Sequence, residues 1–114
     1  MTEQELFDIV YKHMMSQNAK SMMAMAVEGS FSCAYRGKDG LMCAVGVLIP
    51  DEDYRADMEG LASQNLLAKG ACLHHLAAHH ELLSKLQHIH DYGLPEEWDR
   101  ALRKAAVEFG LVCS

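Results

Sequence analysis

No stretch of this 114-residue chain approaches the eighteen or so consecutive apolar residues that cross a bilayer, so neither a membrane-spanning helix nor a membrane partner is expected. Clustered positive charge is missing too. Sixteen acids against ten bases give a formal net charge of −6. The nearest approach to a basic patch, Arg100, Arg103 and Lys104, is diluted by Asp99 and Glu108, which argues against a nucleic-acid partner. Cys33, Cys43, Cys72 and Cys113 form no CxxC pair, and no HExxH order occurs among the histidines, so neither a structural zinc nor a zinc-hydrolase motif is present. The polar start MTEQELF does not read as a signal peptide, and reduced thiols in the cytoplasm are expected. Without internal repeats, linkers or low-complexity stretches, residues 1–114 read as one globular domain.

Half the residues are hydrophobic, enough for a core that needs neither disulfide nor metal, and no cofactor is implied. Thr2 and Glu5 have capping-box spacing, and Leu6, Phe7, Val10 and Met14 recur at helical intervals, which predicts a first helix to about Ser16 with a stop at Gln17-Asn18. Phe31, Cys33 and Tyr35 alternate on one face of a short strand that ends at Gly37-Lys38-Asp39-Gly40. The nine-residue apolar run 41–49 reads as a short buried helix, with a hairpin partner for that strand as its rival, and Pro50 ends it. Further helices are predicted from Leu61 to Ala68, from about Leu73 to Asp91, and from Pro95 to a Schellman-type stop at Gly110-Leu111, the last burying Trp98, Leu102, Ala105 and Phe109. The expectation is a mainly α (α+β) compact domain of about five helices with a short strand or hairpin near residues 31–42.

Chemistry has three candidate locations. Six of seven histidines fall between His74 and His90; His75 and His79, one helical turn apart, are the pair that would share a metal ion, although a solvated polar face explains the cluster as well. In a helix over 41–49, Cys43 would occupy the first turn, where backbone N–H groups stabilise a thiolate. His88 or His90 would then be its base and Asp91 the orienting acid of a thiol enzyme; a buried, inert Cys43 is the competing reading. The third is surface recognition. Asp51, Glu52 and Asp53 form an acidic turn without calcium-loop spacing, suited to a basic partner, and Met22, Met23 and Met25 exceed what one helix face buries, leaving a surplus for a homodimer or a partner groove.

The segments Cys33-Ala34-Tyr35-Arg36-Gly37, Gly40-Leu41-Met42-Cys43-Ala44-Val45-Gly46 and Leu48-Ile49-Pro50-Asp51-Glu52, with Tyr54 and Met58-Glu59-Gly60, resemble small uncharacterised proteins encoded by bacteriophages and prophages. Leu86-Gln87, Ile89-His90-Asp91 and Trp98 continue the resemblance over about two-thirds of the chain. Val47 stands where a further cysteine is common in that pattern, and the histidine-rich 74–80 stretch also departs from it. The resemblance implies a bacterial host cytoplasm and a host or phage protein as partner, with inhibition of a host enzyme or defence system as one such role. It supplies no catalytic residue. A thiol enzyme and a histidine-rich metal-binding domain stand as alternatives to an interaction module.

Overall fold

The computed structural model describes residues 2–24, 31–59 and 74–113. Among them three helices carry the fold: α1 (Glu3–Gln17), α3 (His80–Tyr92) and α4 (Trp98–Glu108), with a single turn, α2 (His74–Ala77), before α3. Local chemistry sets their ends. The Thr2 hydroxyl accepts the Glu5 N–H and the Glu5 carboxylate accepts the Thr2 N–H, a closed capping box, while Asn18 takes the left-handed conformation (φ 47°) and returns its N–H to Met14 O. At the end of α4, Gly110 (φ 68°) donates to Val107 O and Leu111 donates to Ala106 O, the two bonds of a Schellman stop.

The helices meet over one apolar layer in which Phe7, Val10 and Met14 of α1 face Leu82, Leu86 and Ile89 of α3 and Trp98, Leu102 and Ala105 of α4. Trp98 is fully buried; the apolar surface of each such large side chain contributes about 1.5–3 kcal/mol on leaving water. Phe109, expected in this face, packs at its edge. A second layer gathers Leu6, Tyr35, Cys43, Val45, Ile49, Met58, Leu76 and Leu83, so the irregular middle of the chain shares the helices' core.

The strand prediction is half right. Phe31–Cys33 (β2) is extended, but it pairs antiparallel with Met22–Ala24 (β1), in the register Met22 to Cys33, and not with residues after Gly40. Across the Gly37–Gly40 turn only the isolated bridge Arg36–Met42 forms, so there is no hairpin at 31–42, and about five helices are not found among the described residues. Residues 41–49 are not a helix either. They form a turn and the 3-10 segment Gly46–Leu48, because their backbone groups find partners on other elements. Gln17 of α1 accepts the Met42 N–H (2.9 Å) and donates to Met42 O (2.8 Å), and Gln87 of α3 accepts the Val45 N–H (3.0 Å). Gly46 is required by close approach: a Cβ there would lie 2.0 Å from Tyr35 O.

The helix expected over 73–91 is interrupted at His79, whose backbone (φ −112°, ψ 24°) leaves the helical region while the His80 ring bonds Ala77 O. The predicted 61–68 helix, Met25 and Cys72 lie outside the described residues, as do the side chains of Met23 and His75. No helix among the described residues is long and apolar enough to cross a membrane.

Candidate functional site

Of the three groups nominated from sequence near residue 90, His90 and Asp91 stay together and His88 stands apart. His88 is exposed and lies tilted against Tyr92, ring centroids 4.6 Å apart. His90 is fully buried, lying against Trp98 with centroids 5.4 Å apart. Its Nε2 faces the Ser21 N–H at 3.1 Å, and a backbone amide can only donate, so this nitrogen is the acceptor. The proton of the neutral ring is thereby assigned to Nδ1, 2.8 Å from Asp91 Oδ1. The same Asp91 oxygen accepts a bond from Gln87 Nε2 at 2.9 Å, and Lys20 Nζ donates to the Asp91 carbonyl at 3.1 Å. An imidazole whose lone pair and proton are both engaged is a positioned structural group, not a base waiting for a thiol.

Nor is Cys43 placed as a nucleophile. It has no helix N-terminus behind it; it is fully buried, its Sγ accepts the Gly46 N–H at 3.3 Å, and burial pushes its thiol up to about 12. The thiol that joins His90 and Asp91 is Cys33: one donor atom from each of the three residues lies within 4.8 Å of the others. Cys33 is half-buried at the end of β2, 3.7 Å from Met22 Sδ and 3.9 Å from the Asp91 carbonyl oxygen. Burial first, then the nearby Asp91 charge, raises its thiol to about 11. The sequence offered one signal of this grouping, the alternation that places Cys33 on a short strand, but the 57-residue gap to His90 hid the contact.

The histidine pair proposed as metal ligands does not share a helix face. His75 belongs to the one-turn α2, whereas His79 sits in the break before α3 with Nδ1 3.5 Å from Glu3 Oε2. That break removes the one-turn spacing on which the expectation rested.

The acidic turn is built from beneath. Asp51–Asp53 form a 3-10 turn after Pro50, and Arg36 reaches under it, pairing through Nη1 with Asp51 Oδ1 at 2.6 Å, bonding the Ile49 carbonyl through Nη2 and lying over the Tyr54 ring. Glu59 closes the base. Its two oxygens accept the consecutive N–H groups of Tyr35 (2.9 Å) and Arg36 (3.0 Å), and Oε2 also accepts the Tyr54 hydroxyl at 2.6 Å. No local pattern in the sequence signals this clamp, because Arg36 and Glu59 lie 23 positions apart. Asp51 remains 89% exposed and Glu52 stands in solvent. Met22, the described member of the methionine group, is half-buried and turned toward Cys33.

No family model, curated protein or solved structure matches this chain.

Proposed function

We propose that this protein is a small interaction module of the phage or prophage type, docking through the turn Asp51–Asp53 onto a basic surface of a host or phage protein, with inhibition of a host enzyme or defence system as its effect. The observation that supports this reading is the clamp of Arg36, Tyr54 and Glu59, which fixes the turn's backbone while Asp51 and Glu52 face solvent. A preset loop loses less conformational freedom on binding, and its carboxylates steer a cationic partner. The Cys43 thiol and the buried His90 imidazole, in contrast, are engaged in holding backbone.

The test is capture from a bacterial lysate with the tagged chain and with Glu52→Lys/Asp53→Lys, which leaves the Arg36–Asp51 pair intact. Capture that weakens at least about tenfold on charge reversal, and that fades with added salt, is the expected result. A charge-reversed protein that folds normally and captures the same partner equally well would refute the acidic turn as the contact.

A further inference from the structure

We propose that Cys33, His90 and Asp91 form a binding site for one Zn2+-class divalent cation, independent of the acidic turn. The donor set carries this: a thiol sulfur, an imidazole nitrogen and a carboxylate oxygen, one atom from each, within 4.8 Å of one another. Thiolate plus imidazole suits a borderline-soft ion, and bonds of about 2.3 Å to sulfur and about 2.0–2.1 Å to nitrogen or oxygen bring tetrahedral ligand atoms to about 3.3–3.8 Å apart. Closure on the ion therefore requires movements of about 1 Å. A solvent molecule or the Met22 thioether, 3.7 Å from Cys33 Sγ, completes four ligands.

Access and support are both present. His90 is fully buried, whereas Cys33 and Asp91 are half-exposed, so an ion enters from their side. Gln87 bonds Asp91, and Trp98 lies along the His90 ring, which orients two of the ligands from behind. Asp91 Oδ1 lies 2.8 Å from Nδ1, so an ion shared with the carboxylate takes the Nδ1 edge of the ring, and the Nδ1 proton moves to Nε2, where the Ser21 N–H must turn away from it. Loading the site exchanges a hydrogen bond for a coordinate bond, the thiol gives its proton to solvent, and the start of β1 is displaced.

The experiment titrates the full chain with Co2+ and Zn2+. One Co2+ per chain, with a sulfur-to-cobalt charge-transfer band that Zn2+ abolishes, is the expected result. Cys33→Ser should remove the band and Asp91→Asn should weaken binding at least about tenfold, whereas His79→Gln should leave it unchanged. Should Cys33→Ser unfold, the native protein still decides: saturating Zn2+ should slow alkylation of Cys33 at least tenfold without changing that of Cys113. A Cys33 labelling rate indifferent to Zn2+, a band that survives Cys33→Ser, or binding lost with His79→Gln would overturn the assignment.

Discussion

Gly46→Ala isolates the packing of the irregular middle of the chain. The new methyl carbon would lie 2.0 Å from Tyr35 O and 2.8 Å from Tyr35 C, against 3.4 Å or more in ordinary contact. Neither wall can retreat freely. Tyr35 is anchored through its N–H to Glu59, and the Gly46 side is held by Gln87 on Val45 and by the Gly46 N–H on Cys43 Sγ. Overpacking against side chains costs about 1–3 kcal/mol, and an obstacle made of backbone places this change at about 3 kcal/mol or above. With an unfolding entropy of about 2.1 cal/mol/K per residue, a 114-residue domain loses about 12 °C of Tm for 3 kcal/mol. The matched control is Gly40→Ala, where nothing lies within 4 Å but φ is +76°; the left-handed penalty of about 1–2 kcal/mol predicts a loss of about 4–8 °C. Thermal melts followed by circular dichroism compare the two. If Gly46→Ala melts no lower than Gly40→Ala, the close approach to Tyr35 is not what selects glycine there.

Trp98→Ala should destabilise by about 3–5 kcal/mol in urea unfolding, since the ring is fully buried between α1, α3 and α4; an unchanged midpoint would remove α4 from the core. Burial holds the Cys43 thiol near 12 against an ordinary 9.0, so above pH 9 the unfolded chain releases this proton before the folded chain does. The stabilisation is complete below pH 9 and lost as pH rises toward about 12, by up to about 1.4 kcal/mol per pH unit. Cys43→Ala should therefore flatten the decline in urea midpoint between pH 8 and pH 10.5, and parallel declines in the two proteins would contradict the burial. Among the described thiols, alkylation of the native protein at neutral pH followed by mass spectrometry should modify Cys113, which lines a surface groove beside α1, before Cys33, and Cys43 last. Cys43 reacting first would instead restore it as a nucleophile.

What the sequence made legible was local. α1 and α4 announce themselves through Thr2 and Glu5, Asn18, Pro95 and Gly110, because caps and stops act within a few residues of one another. The 41–49 run was misread because it is apolar at both parities, and its conformation is dictated by amides on α1 and α3 that no periodicity points to. The strand at Phe31–Cys33 was visible in its alternation, its partner was not, because β1 lies within a methionine-rich stretch that fits helix and strand equally. For the candidate sites the same division holds. The acidic turn stands out as a run of three adjacent acids, whereas the company of Cys33, His90 and Asp91 exists only once β2 has been laid against the end of α3.

Two glutamine side chains serving as backbone partners for residues 42 and 45 have a kinetic consequence. Their bonds span 25 and 42 positions in the chain, so the 41–49 segment has no template until α1 and α3 have already docked. The segment should accordingly be unformed at the folding barrier and assemble on the downhill side. Gln17→Ala and Gln87→Ala are then expected to accelerate unfolding while leaving the refolding limb of a chevron plot in place, and a slowed refolding limb would put these amides in the nucleus instead. The lifetime of the native state, more than the speed of reaching it, rests on two uncharged side chains.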